Sequence, residues 1–134
     1  MIEHFASPKG LPPANGYSHA TSGTGRLVTI SGQLPLTATG ELVDETDDLA
    51  QARHVFHNLG LALEAAGATP ADVVKLGFYL TNLDDLTDVR TARNEFVGEA
   101  VPPASTLVQV AGLVVPGARI EVDALAIVNV AVES

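Results

Sequence analysis

Apolar side chains recur along residues 49–66 at spacings of three and four, which is the period of one helix face. Acidic residues crowd the start of this segment, where they complement the positive end of the helix dipole. Gly67 follows at the position of a C-terminal cap. The pattern predicts a long helix that buries one stripe, formed by Leu49, Ala52, Phe56, Leu59, Leu63 and Ala66.

A second helix is predicted after Asp84 or Asp85, either of which suits the N-cap position, and it ends near Gly98. Its inward side chains are expected to be Leu86, Val89 and Phe96. Between the two helices the sequence TPAD predicts a short helical turn, with Thr69 as N-cap and Pro70 in the first position.

The remaining apolar and β-branched segments have the character of strands. Residues 17–21 and 26–31 flank a Gly-containing turn and are predicted to pair as a β-hairpin. A break at Pro116 and Gly117 separates the last two strands. The other predicted strands are residues 2–5, 73–81, 105–110 and 119–130.

The resulting order of elements predicts an α+β fold, in which one sheet carries both helices on one face. The opposite face also presents apolar side chains, with Val108, Val110, Leu125 and Ile127 among the candidates. An uncovered apolar sheet face is typical of an interface. We therefore expect the protein to associate with copies of itself.

Composition and charge narrow the possible functions. The 134 residues are expected to form one domain, 1–134. Acidic residues number 16 against 7 Lys and Arg, which are scattered, so binding to nucleic acid or to an anionic membrane is disfavoured.

The absence of cysteine excludes disulfides and thiolate catalysis. No signal peptide or transmembrane-length apolar run is found, so a soluble cytoplasmic protein is expected.

Few residues stand out as candidates for chemistry. Glu121 and Asp123 lie two apart in an apolar strand, so both point to one face. They fit either an exposed strand face or a carboxylate held in a pocket as a general acid or base. His54 and His57 are three apart on the first helix, but no further metal ligands accompany them, so no metal site is expected.

An ordered set of motifs resembles the RidA family, also called YjgF and known under the label endoribonuclease L-PSP. The motifs cover nearly the whole chain: GYSHA (16–20), ISGQLP (30–35), EAAGAT (64–69), VVKLGFYLTNLDDL (73–86), PPAST (102–106) and IEVDALAIV (120–128). The resemblance implies a chorismate mutase-like fold and a homotrimer in which three sheets form a central barrel, with ligand clefts between subunits. It also implies hydrolysis of reactive enamines and imines to 2-oxo acids and ammonia, without metal or cofactor.

The same resemblance identifies site residues position by position. Glu121 matches the family's glutamate that positions the attacking water. The family's arginine, which binds the substrate carboxylate, should follow PPA, where this chain has Ser105. A family asparagine on the second helix is replaced by Arg90. The other substrate-binding candidates are Tyr17, Ser31, Gly32 and Thr106.

The missing arginine leaves the activity open. Arginine binds a carboxylate through two charge-assisted hydrogen bonds, whereas the Ser105 hydroxyl offers one neutral bond. We therefore expect 2-imino acids to bind roughly ten- to a hundred-fold more weakly. One hypothesis is a deaminase with an altered substrate, and the alternative is a trimer that binds or senses a small metabolite without converting it. Ribonuclease activity is disfavoured by the acidic charge.

Overall fold

The structure, a computed structural model, describes residues 1–130. Within these residues two α-helices and six strands follow one another, and short 3-10 turns precede β4 and α2. The elements are β1 (Ile2–Phe5), β2 (Ala20–Gly23), β3 (Arg26–Gln33), α1 (Asp48–Ala65), β4 (Val73–Leu80), α2 (Leu86–Val97), β5 (Ala104–Gln109) and β6 (Ile120–Val128).

The main sheet contains four strands in the order β3-β6-β4-β5. Strands β4 and β5 are parallel, as the intervening helix α2 requires, and the other pairs are antiparallel. Both helices pack on one face of this sheet and share a single apolar core with it. The predicted α+β layer with both helices on one face is confirmed.

The predicted β-hairpin between residues 17–21 and 26–31 is wrong. β2 pairs with β1 in a separate two-stranded sheet, and β3 pairs with β6. The reason is burial. In β3 Val28 and Ile30 are buried, and they face Ala126 and Ala124 across the ladder, whereas the polar strand β2 offers no apolar face. The strand β3 therefore pairs with β6, which is distant in the sequence, rather than with the strand just before the turn.

The ends of both helices follow the sequence prediction in position, but the start of α2 lacks a side-chain capping bond. The Asp47 carboxylate accepts from the Ala50 N–H at the start of α1, and Gly67 follows the helix in a left-handed conformation, φ 75°. Asp85 occupies the N-cap position of α2, but its carboxylate makes no capping bond. It is buried and instead accepts two hydrogen bonds from Arg119, at 2.8 and 2.9 Å.

The face of the sheet opposite the helices mixes polar and apolar side chains. Val108 and Leu125, two of the four residues predicted there, have exposed fractions of 41% and 39%. Leu27 on β3 joins them with an exposed fraction of 63%. This outer face, as we call it, also carries Glu121 and Asp123, both half-buried. Within residues 1–130 no helix is both long and apolar enough to span a membrane.

Candidate functional site

A pocket of about 230 Å³ lies between helix α2 and the edge strand β5. Its apolar part includes Phe78, Leu86, Val89 and Leu107. Its polar lining consists of Asn15, Tyr17, Arg90, Arg93 and Ser105. Three of the residues singled out from the sequence, Tyr17, Arg90 and Ser105, therefore line one pocket.

Tyr17 reaches this pocket because the next residue is fastened to the start of β5. Ser18 forms a parallel bridge with Ala104, its backbone N–H donates to the Pro103 carbonyl at 3.0 Å, and its hydroxyl donates to the Pro102 carbonyl at 2.7 Å. Ser18 is also buried, with an exposed fraction of 1%. The two prolines thus supply acceptors that hold the loop before β2 beside Ser105.

Ser105 and Thr106 point to opposite faces of the sheet because side chains alternate along a strand. Ser105 pairs in register with the buried Leu76 and faces the helices, where it lines the pocket. Thr106 pairs with Gly77 on the outer face, and its hydroxyl accepts from the Lys75 Nζ at 2.9 Å. A single copy of the chain therefore does not bring Thr106 into the pocket.

Arg93 is a member of the pocket that the sequence motifs did not single out. It lies about one helical turn after Arg90, so the two arginines share a face of α2. Burial, together with the nearby positive charge of Arg90, lowers the pKa of Arg93 from its ordinary value. The available signal was the spacing of three between these arginines beside the inward Leu86 and Val89.

Glu121 belongs to a second group of residues, on the outer face of the sheet. Its side chain packs against Gly32, where a Cβ would lie 2.7 Å from the carboxyl carbon. Gly32 sits in the irregular part of β3, where the register with β6 shifts between Ile30 and Gln33. Ser31, the neighbouring candidate, is exposed on the same strand. The structure therefore places Gly32 and Glu121 in contact.

On the neighbouring strands β4 and β6, Tyr79 and Asp123 form a polar pair on the same outer face. The Tyr79 hydroxyl donates to an Asp123 carboxylate oxygen at 3.0 Å. This hydrogen bond, followed by the negative charge of Asp123 and by burial, raises the pKa of Tyr79 above its ordinary value. The negative charge of Glu121 raises the pKa of Tyr79 further, by a smaller amount, so Tyr79, Asp123 and Glu121 lie close to one another.

The sheet thus separates the candidate residues into two groups. Tyr17, Arg90 and Ser105 lie on the helix side, at the β5 edge. Gly32 and Glu121 lie on the outer face of β3 and β6. One copy of the chain does not bring the carboxylate of the second group to the pocket of the first.

The paired histidines of α1 have ordinary structural roles. The His54 Nε2–H donates to the Leu36 carbonyl at 2.8 Å, which fastens the segment after β3 to the helix. His57 is exposed, with its ring centroid 5.5 Å from that of His54. Among residues 1–130 no three His, Cys, Asp or Glu side chains cluster as metal ligands.

Comparison with known proteins identifies the family. The family described as Endoribonuclease L-PSP matches residues 8–128. Protein DfrA of Myxococcus xanthus is 37% identical over 94% of this chain and 93% of its own length. A 2-iminobutanoate/2-iminopropanoate deaminase of Escherichia coli is 35% identical over 77% of this chain and 80% of its own. The crystal structure of YyfB, a Rid-family protein of Yersinia pestis, superposes with a TM-score of 0.87 at 36% identity, over 95% of this chain and 98% of that one.

These matches, with the α+β sheet and its two helices, define a Rid-type protein. The chain belongs to the RidA/YjgF family. The resemblance seen in the sequence motifs is confirmed, and the family includes imine and enamine deaminases.

Proposed function

We propose that the protein is a hydrolytic deaminase of a reactive enamine or imine metabolite, acting at clefts between the subunits of a homotrimer. The observation that carries this proposal is the division of the candidate residues between the two faces of one sheet. The described lining of the Tyr17 pocket includes no carboxylate, and Glu121 lies on the opposite face. A second copy whose β3 and β6 meet the β5 edge of the first at a subunit boundary would bring a Glu121 carboxylate toward the ligand.

The exposed apolar residues of the outer face support this assembly. Leu27, Val108 and Leu125 lie on three different strands of the main sheet. Burying them removes apolar area from water, which favours association by about 25 cal/mol per Å². In a chorismate mutase-like trimer, three such faces would line the central barrel, and the β5 edges would lie at the subunit boundaries.

The chemistry requires a group that accepts a proton from water. In the proposed reaction Glu121 accepts this proton as the water oxygen bonds to the imine carbon, and the C=N electrons move to nitrogen, which takes a proton. Glu121 then gives its proton to the amine nitrogen of the tetrahedral intermediate, the C–N bond breaks to release ammonia, and the hydroxyl loses its proton to solvent as the carbonyl group forms. One water is consumed and one ammonia released. Gly32 leaves the space in which the Glu121 carboxylate lies.

Substrate binding would differ from that in the deaminases with an arginine after PPA. Ser105 lines the pocket at the strand position of that arginine and carries no charge. Together with Tyr17 and Arg90 it would contact the substrate, whereas Ser31, Gly32 and Thr106 would contribute from the outer face of a neighbouring subunit. No metal and no cofactor take part in the proposed reaction.

Hydrolysis of 2-iminopropanoate tests the proposal, with the loss of the imine followed in wild type, Glu121→Gln and Ser105→Arg. We expect wild type to accelerate hydrolysis, Glu121→Gln to lose this acceleration, and Ser105→Arg to bind 2-iminopropanoate more tightly. A matched control is Glu95→Gln, which alters an exposed carboxylate on α2. Equal rates for wild type and Glu121→Gln would contradict a deaminase that depends on this carboxylate.

A second function, binding of a small metabolite without conversion, is favoured by one observation. In a single chain no described carboxylate reaches the pocket, so binding and water activation are separable. A ligand that raises the melting temperature and is recovered unchanged would support this alternative. A ligand that is consumed by wild type but not by Glu121→Gln would exclude it.

A further inference from the structure

The guanidinium group of Arg93 has spare hydrogen-bonding capacity inside the pocket. Its Nε and one Nη2–H donate to the side-chain oxygen of the adjacent Asn94, at 3.1 and 2.9 Å. A guanidinium has five N–H donors, so three remain without a protein acceptor among residues 1–130. Arg93 is half-buried, and none of the described buried side-chain nitrogens lacks a partner, so these donors are open to water and to a ligand.

The backbone opposite Arg93 is shaped to admit this group. Gly16 has φ 76°, a left-handed conformation that other residues rarely adopt. A Cβ at position 16 would lie 2.8 Å from the Arg93 Cζ, so a larger residue would push the guanidinium out of its place. The loop at residues 15–17 thus leaves space for the Arg93 guanidinium next to the pocket.

The charges around the Arg93 guanidinium favour the binding of an anion. Arg90 and Arg93 line the same pocket, and the described lining includes no Asp or Glu. Neither arginine forms an ion pair with another residue in the range 1–130, whereas Arg53 and Arg119 do. Burial, and to a smaller extent the positive charge of Arg90, lowers the pKa of Arg93. On a chain of net charge −9, this is a positive pocket that a small anion would neutralise.

We propose that Arg93, assisted by Arg90, is the carboxylate-binding residue of this pocket, and that the ligand is a small organic acid. Its carboxylate would lie between the guanidinium groups, and its short apolar part would lie on Phe78 and Leu107. The positive charge absent at Ser105 is thereby supplied from helix α2 rather than from strand β5. This inference deepens the proposed function by assigning the residues that hold the carboxylate of the substrate, and it rests on that function only for the reaction.

Direct binding measurements test the inference without turnover. Isothermal titration at low ionic strength would compare 2-oxobutanoate, its neutral methyl ester and inorganic phosphate. For wild type we expect 2-oxobutanoate to bind and the ester to bind much more weakly. Arg93→Gln should weaken 2-oxobutanoate binding about ten- to a hundred-fold, because a charge-assisted bidentate contact is lost. Arg93→Lys keeps the charge and should recover part of the affinity.

A matched control separates this site from the general charge of the protein. Arg53→Gln removes an arginine from α1 that is paired with Glu95, so it should leave 2-oxobutanoate binding unchanged. The melting temperature of each variant would confirm that it is folded. Equal 2-oxobutanoate affinity in folded wild type and Arg93→Gln would overturn the inference, as would phosphate binding more tightly than 2-oxobutanoate.

The outcomes distinguish this inference from the proposed deaminase. If 2-oxobutanoate binds in an Arg93-dependent way but no imine is hydrolysed, the carboxylate site stands and the deaminase proposal fails. If imine hydrolysis depends on Glu121 while its KM for 2-iminopropanoate is the same in Arg93→Gln, the deaminase stands and the carboxylate site is wrong.

Discussion

Gly32 lies directly against the carboxylate of Glu121, although the two residues are separated by most of the chain. A Cβ at position 32 would be 2.7 Å from the Glu121 carboxyl carbon, well inside the roughly 3.5–4.0 Å at which carbon atoms pack best. Glycine at this position therefore determines where the carboxylate lies. The pair connects the irregular end of β3 to the strand β6.

Gly32→Ala should consequently displace the Glu121 carboxylate and lower imine hydrolysis. A displacement of about 1 Å at a reacting group can cost about a hundred-fold in rate, and we expect a loss of this order in kcat. The melting temperature should change little, because the displaced atoms are the end of a flexible side chain. Gly112→Ala, where a Cβ would meet nothing within 4 Å, is the control. Unchanged kcat in folded Gly32→Ala would show that the carboxylate position does not matter.

Gly60→Ala should stabilise the protein. Gly60 lies inside helix α1, and a Cβ there would meet no atom within 4 Å. Alanine restricts the unfolded chain and favours the helix, which is worth about 0.5–1 kcal/mol. The free energy of unfolding in urea measures the effect. A loss of stability would indicate that another surface covers this side of α1.

Asp85→Asn should destabilise the fold, because Asp85 is 5% exposed and accepts both hydrogen bonds of the Arg119 fork. We expect a loss of about 1–3 kcal/mol, toward the lower end because a third of the Arg119 side chain is exposed. Chemical denaturation measures this value. Glu95→Gln, which breaks the exposed pair with Arg53, should have a much smaller effect. Equal losses of unfolding free energy in Asp85→Asn and Glu95→Gln would show that burial does not strengthen the Asp85–Arg119 pair.

Tyr79 should ionise at a higher pH than an ordinary tyrosine, because its hydroxyl donates to Asp123 and this bond raises its pKa. The chain has 2 tyrosines and no tryptophan, so Tyr17→Phe makes Tyr79 the sole tyrosine for an ultraviolet titration. Asp123→Asn should then return the pKa of Tyr79 toward its ordinary value. A titration curve that is identical with and without Asp123 would mean that the hydrogen bond is absent in solution.

The same pair has a consequence for stability against pH. Since folding raises the pKa of Tyr79, the contribution of its protonated form is fully present below the unfolded value of about 10 and is lost as pH rises through the folded pKa. The difference in unfolding free energy between wild type and Tyr79→Phe should therefore be constant at neutral pH and fall only in strongly alkaline solution. Any variation of this difference between about pH 6 and 8 would have to come from another group.

Local patterns predict much of the fold. The stripe of α1 and its end at Gly67 depend on spacing and backbone conformation within a few turns, which a sequence displays directly. Pairing of strands depends on distant residues, and there the hairpin prediction fails. A turn does separate β2 from β3 at residues 24–25, as the glycine and neighbouring polar residues indicate. The strand β3 nevertheless pairs with β6, because this pairing buries Val28 and Ile30.

The amino-acid sequence by itself determined the family and the two helices, and it singled out Tyr17, Arg90 and Ser105 as candidate site residues. Only the tertiary structure decided which of them meet. It gathered these three with Arg93 and placed Glu121 against Gly32 across the sheet. The reason is that side-chain direction along a strand is a local property, whereas the contact of Arg93 with Gly16 requires α2 and a loop far away in the chain to pack together.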